Sequence, residues 1–374
     1  MPELWLNYGS TDVILDLKVE NLSLIENSQF DILSNEILDQ QIESIPIAEN
    51  TTLVPLDTSN STVQIISKLV SSAAGSKGVK LSIESSARSR KILSNKIQSQ
   101  NIGLFEKNNG NSLNHTKEKN TIFISKANVD PFFGYGGTPT NLLREFEQEK
   151  MNEAFHSRQD DLPHPGEKGP PYEIAEKFSK NMEAKAIEII SNNYGINNLF
   201  YGDIIQSHQS AIENLNQLSI RNPQELKSLI IGTNIDTHSS LTLSTTLDQL
   251  WNSIHVLKKN AIVVLISENA KGFGSRGIEK FAYGELKLED YKESIYIDGM
   301  EHNMFIHELK EKYNMAILSS LPKYYLKDIF GFKIFSNIQE AVENILDING
   351  KSHRISIIQD PNVAIFKNDD KVDW

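Results

Sequence analysis

The chain contains no cysteine in 374 residues. That absence excludes disulfides, thiolate nucleophiles, cysteine-held iron–sulfur clusters and cysteine-ligated zinc together. It is compatible with a reducing compartment. Long hydrophobic runs are missing too: Ala261–Ile266 is among the longest, far short of the roughly 20 residues that cross a bilayer. Met1 to Asn7 show no basic stretch leading into an apolar one, so no secretory leader is expected and the compartment reads as cytoplasmic. Positive charge is in the minority, with 37 Lys and Arg against 49 Asp and Glu and a net charge of -12. Such a chain repels phosphate backbones unless it gathers a basic stripe. The lysines and arginines are instead mixed with acids, so neither nucleic acid nor a membrane is an expected partner. No repeat of fixed period is present.

What is present suits a folded core. Hydrophobic residues make up 39% and charged residues 23%, and the length allows two ordinary domains. Strands are predicted at Leu4–Leu6, Val13–Leu17, Val79–Ile83, Thr121–Ser125, Asn198–Tyr201, Leu226–Ile231, Ala261–Ser267, Met315–Leu318 and Ile355–Ile358. Helical spacing predicts helices near Val63–Val70, Arg88–Gln98, Thr138–His156, Tyr172–Asn192, Ile204–Leu218, Leu243–Ile254, Asn303–Tyr313 and Ile338–Leu346. The polar stretch Asn27–Ser59 is ambiguous, and Asn101–Asn120 reads as an exposed loop. Strands alternating with helices imply an α/β class with mainly parallel sheets covered on both faces. Two domains are expected, 1–200 and 201–374.

Three segments could carry chemistry. Glu84-Ser85-Ser86-Ala-Arg88-Ser-Arg90-Lys91 runs from a strand into a helix. Helix N-termini attract anions, and guanidinium groups grip planar ones bidentately. A serine cap before a solvated basic turn explains the same residues. Asp130-Pro-Phe-Phe-Gly134-Tyr-Gly136-Gly137-Thr138-Pro139-Thr140 also enters a helix. Its glycines permit close backbone approach, Thr138 reads as the N-cap, and Pro139 as the first helical residue. A tight turn with a good cap is the plainer alternative. Gly272-Phe-Gly274-Ser-Arg-Gly277 has the spacing of a dinucleotide loop and supports an alternative reading, an NAD-dependent oxidoreductase. A non-catalytic binding or regulatory protein is a third reading. The histidines are scattered, and spacing alone reveals neither a metal pair nor a Ser/His/Asp set.

Taken in order, these segments resemble the nickel-dependent lactate racemases. Tyr8–Leu22 resembles that family's opening strands, and Ser85-Ser-Ala-Arg88 stands in the place of its Asp-His-Thr-Arg loop. Asp130–Gly137 resembles its Glu-Pro-His-Phe-Phe-Ala-Gly-Phe-Ser-Gly-Gly loop, and Leu257–Gly277 its C-terminal strand and glycine-rich loop. The resemblance implies two α/β domains with a ligand cleft between them. It also implies a pyridinium mononucleotide pincer carrying nickel, tethered to a lysine two positions after the Gly-Gly pair. Here that position is Pro139, and Pro131 runs into Phe132 where the family has a histidine. The stretch between Arg88 and Asp130 is too short for the segment bearing the other catalytic histidine. Thr245 and Asp248 stand where the family's substrate-binding Gln and Lys are placed, and Arg88 retains the anion-binding arginine. His156 lies one residue off the nickel-ligating histidine and is the one candidate for catalysis or metal. The expectation is a divergent relative that binds a small anionic ligand, a 2-hydroxy acid or a phosphorylated compound, through Ser85, Ser86, Arg88, Arg90, Gly134, Gly136, Gly137, Thr138 and Thr140, without the nickel pincer. Racemase or epimerase chemistry would be its activity if it retains any.

Overall fold

The computed structural model describes residues 3–9, 11–24, 31–74, 81–97, 102–104, 120–158, 162–192, 194–218, 220–222, 225–232, 242–359, 361 and 365–368. The chain divides into two compact units, Met1–Gln29 with Val129–Phe132 and Leu218–Trp374, and Phe30–Asn128 with Phe133–Gln217. This division differs from a single cut at residue 200. The opening residues belong with the C-terminal half.

The middle unit holds a six-stranded sheet in the order Gly195–Asp203, Lys185–Asn192, Asn120–Lys126, Thr51–Pro55, Leu81–Ser85, Ile102–Leu104. Its first pair is an antiparallel hairpin, and every other pairing is parallel. Parallel strands buried on both faces need continuous apolar runs rather than alternation. Lys185–Asn192 is such a run, buried at all but its first residue. It was predicted to continue a helix from Tyr172. The helix stops at Ser179 instead, because β-branched Ile187, Ile189 and Ile190 suit a sheet, and short apolar runs do not reveal their period. The helix predicted over Thr138–His156 is two helices, Thr138–Phe146 and Gln148–Ser157. They meet at Glu147, whose backbone (φ -131°, ψ 70°) is not helical. Within Asn27–Ser59 the structure has a helix, Asn35–Glu43, capped by Ser34 Oγ accepting from Ile37 N, and the strand Thr51–Pro55. That strand's two buried threonines hid it from a hydrophobicity reading. The core of this unit gathers Leu53, Ile65, Ile66, Leu69, Ile122, Ile124, Ile187 and Ile189. Each buried aliphatic side chain there contributes about 1.5–3 kcal/mol.

The other unit holds a six-stranded, all-parallel sheet in the order Lys333–Ile334, Asn314–Leu318, Leu257–Ile266, Leu226–Ile231, Ile355–Ile358, Leu22–Leu24. The N-terminal hairpin Glu3–Asn7 with Asp12–Asp16 adds Leu6 and Leu15, both fully buried, to its core beside Ile230, Val264, Ala341 and Ile357. Of the predicted Asn101–Asn120 loop, residues 101 and 105–119 lie outside the described residues, while Ile102–Leu104 is an edge strand and Asn120 begins the strand Asn120–Lys126.

Candidate functional site

The glycine-rich loop of the middle unit leads into the helix Thr138–Phe146. Gly137 is its N-cap, one residue earlier than predicted, and Thr138 is its first helical residue. Thr140 closes the turn: Gly137 N donates to Thr140 Oγ1 (3.0 Å), and that hydroxyl donates to Gly137 O (3.1 Å). All of Gly134–Thr140 is buried. A Cβ on Gly134 would meet Glu167 O at 1.7 Å, and one on Gly136 would meet Asn128 Oδ1 at 2.2 Å. These glycines therefore serve close packing of the chain on itself.

Gly137 faces a group that sequence reasoning missed. A Cβ there would lie 2.4 Å from His208 Nδ1 and 2.9 Å from Glu188 Oε2. Glu188, on the strand Lys185–Asn192, is fully buried, and His208, on the helix Ile204–Gln217, is nearly so. Glu188 Oε1 accepts the Thr138 N–H at 2.8 Å. His208 Nδ1 lies 3.3 Å from the same oxygen, without hydrogen-bond alignment. Tyr172 stacks on the imidazole, with ring centroids 6.0 Å apart, and the Lys168 ammonium lies 4.7 Å above the Tyr172 ring. Burial, with the charges of Glu176 and Glu188, pushes the Tyr172 phenol well above its usual value, so it stays neutral. Both nitrogens of His208, Glu188 Oε2, Thr138 Oγ1 and the Tyr172 hydroxyl have no hydrogen-bond partner. Buried polar groups are rarely left so.

The consequence for anions is direct. The first amides of a helix attract negative charge. At Thr138 that position is taken by the chain's own Glu188 carboxylate, which corrects the assignment of Gly134, Gly136, Gly137, Thr138 and Thr140 as an open anion cradle. The signal in the sequence was one acid inside Ala186-Ile-Glu-Ile-Ile190.

The second predicted segment lies at the carboxyl end of the strand Leu81–Ser85. Ser86 caps the helix Ala87–Lys96 by accepting from Ser89 N (3.3 Å), and Ser85 Oγ donates weakly to Ser86 O (3.4 Å). Arg90 Nε donates to Ile102 O (3.0 Å) and so fastens the edge strand Ile102–Leu104. Arg88 lies in the first turn, and its side chain is outside the described residues.

The sheet's order reverses between Thr51–Pro55 and Asn120–Lys126, where open α/β sheets take ligands. At that point Asp57 Oδ1 accepts from Ser59 N (2.9 Å) and Thr62 Oγ1 (2.8 Å), and Oδ2 from Lys126 N (2.7 Å). Ser59, Ser61, Thr62 and Ser191 form a buried hydroxyl network beside it. The Lys126 ammonium is partly exposed and has no ion-pair partner among the described residues.

His156 is exposed and donates Nδ1–H to Asn152 O (2.8 Å), the ordinary satisfaction of a helix-end histidine. Among the described residues no group of three or more His, Asp or Glu could hold a metal ion. The loop Gly272–Gly277 also turns inward. A Cβ on Gly274 would strike Thr242 and Ser244 hydroxyls, and one on Gly277 the backbone of Asp298–Met300. It follows Leu257–Ile266, whereas that sheet reverses at Leu226–Ile231. Thr245 Oγ1 donates to Thr242 O, and Asp248 pairs with His302.

No protein-family model and no curated protein matches the chain. Solved structures are similar in fold, two of them over nearly the whole chain. One is the lactate racemase apoprotein from Thermoanaerobacterium thermosaccharolyticum, with a TM-score of 0.73 and 14% identity over 98% of this chain and 100% of that one. The other is a Thermotoga maritima protein solved by a structural genomics consortium, with a TM-score of 0.63 and 10% identity over 90% and 99%. The chain has the lactate racemase fold.

Proposed function

We propose that this chain is a lactate-racemase-like protein that binds a small anionic compound, a 2-hydroxy acid or a phosphorylated molecule, and works without a lysine-tethered nickel pincer. The observation that carries the reading is the occupancy of the glycine loop. Pro139 is buried and has no amine to form the tether, and Glu188 already satisfies the adjoining helix amide. A phosphate brought to that point meets a fixed carboxylate, and like charges at short range in a buried setting repel strongly. The residues at this loop therefore do not fit the family's cofactor, and no proton transfer is routed through it.

The anion is assigned instead to the carboxyl edge of the same parallel sheet, where the ends of Leu81–Ser85, Thr51–Pro55 and Asn120–Lys126 come out side by side. Arg88 and Lys126 would supply the charge there, on either side of the strand that ends at Pro55. Titration calorimetry with D-lactate, L-lactate and inorganic phosphate tests it. Lys126→Ala and Arg88→Ala should each weaken binding about tenfold or more, since a charge-assisted hydrogen bond contributes about 1.5–3 kcal/mol. The intact mass of protein made in nickel-supplied cells should equal that of the bare polypeptide. A heavier covalent species with stoichiometric nickel would overturn the reading.

A further inference from the structure

Ser275 opens the helix Arg276–Ala282 but does not cap it. A serine at that position ordinarily accepts a hydrogen bond from an amide of the first turn. Here its hydroxyl is buried and has no partner. It is aimed at Gly299, where a Cβ would lie 1.9 Å from Ser275 Oγ and 3.6 Å from His302 Nδ1. His302 Nδ1 is also buried and unpartnered, while Nε2–H donates to Asp248 Oδ1 at 2.8 Å. Asp248, on the helix Leu243–Trp251, is thus bonded to His302, on the helix Met300–Lys312, while Ser275 Oγ and His302 Nδ1 both face Gly299 without bonding each other. Intervals of 27 residues concealed the arrangement in the sequence.

We propose that Ser275 and His302, with Asp248 as the positioning residue, form a nucleophilic site for acyl transfer from small carboxylic esters or thioesters. Such sites are recognised by geometry and roles rather than by chain order, and their hydrogen bonds are often loose before substrate arrives. Ser275 Oγ bonds to the acyl carbon as its proton passes to His302 Nδ1. The carbon–oxygen or carbon–sulfur bond breaks, and the leaving alcohol or thiol takes that proton. Water then attacks the acyl-serine, giving its proton to His302, and the acid departs as Ser275 is restored. Asp248 holds the ring and balances its charge. It is the most exposed of the three. This site is independent of the anion site above, since it lies in the other unit.

The groups facing His302 are Asp248, from the helix Leu243–Trp251, Glu301, from His302's own helix, and Asp298, just before that helix, with Glu301 held by the Tyr296 hydroxyl at 3.0 Å. Burial alone would lower the imidazole, but Asp248's charge and hydrogen bond outweigh it and raise the group to about 9. Neutral imidazole, the form that accepts a proton, therefore becomes the major form only above about pH 9.

The test treats the full-length protein with a fluorophosphonate, whose phosphorus takes Oγ as fluoride leaves, and maps the adduct by peptide mass spectrometry. Labelling is expected on Ser275, rising with pH through a midpoint near pH 9. Ser275→Ala should abolish it and His302→Gln should slow it at least tenfold, with circular dichroism verifying the fold of each. Asp248→Asn should move the pH midpoint downward, a change that a merely structural role would not produce. Wild-type protein left unlabelled at Ser275, or His302→Gln labelled at the wild-type rate, would overturn the proposal.

Discussion

Glu188 and His208 concentrate the tension of the middle unit into one contact. Neither reaches water, and their remaining polar atoms lack partners. Removing Glu188 also strips the buried Thr138 N–H of its acceptor, and a buried polar group left unsatisfied typically costs about 1–3 kcal/mol. Glu188→Ala is expected to lose about that much in urea unfolding, and more than Glu188→Gln, which keeps an acceptor for Thr138 N. Gly137→Ala should cost roughly 1–3 kcal/mol by driving a methyl into His208. His302 gives the second residue-scale expectation. Its folded value of about 9 lies above its unfolded value near 6.5, so its contribution to stability is complete below about pH 6.5. That contribution is lost as pH climbs through about 9. The urea midpoint should decline over this window, and His302→Gln should flatten the decline.

The elements themselves were mostly legible. Leu226–Ile231 and Ile355–Ile358 occur with the bounds their apolar runs predicted, and Ile204–Gln217 stops one residue short. Where reading failed, two physical causes account for it. The five residues Ala186–Ile190 satisfy either period, and their neighbours in the sheet decided the outcome. Thr51 and Thr52 are polar by composition yet buried, with Thr52 Oγ1 bonded to Ser82 Oγ at 2.9 Å. The site was less legible than the fold. Ser85, Ser86 and the glycine loop were found at strand-to-helix turns, but the groups that fill the glycine loop, Glu188 and His208, come from elements 50 and more residues downstream. Only tertiary structure brings those together. Likewise Arg90 looked like a ligand cation and turned out to fasten Ile102.

At the scale of the molecule, the strand Leu22–Leu24 completes a sheet whose other strands begin at Leu226, and the opening hairpin, a two-stranded sheet of its own, packs into its core. Deleting residues 1–24 strips Leu6, Leu15 and Leu17 from that core. It should sharply lower the unfolding midpoint of the Leu218–Trp374 part, while near-native protection persists in Phe133–Gln217, as hydrogen exchange would read.

The same interleaving sets a timetable for synthesis. Leu6 and Leu15 leave the ribosome more than 200 residues before the strands that will cover them. At bacterial and eukaryotic elongation rates that gap lasts roughly 10–40 seconds. During it the nascent amino end displays unsheltered aliphatic side chains while the middle unit can already close. A chaperone that recognises short greasy stretches would find its target there, at the beginning of the polypeptide rather than at its last-made end.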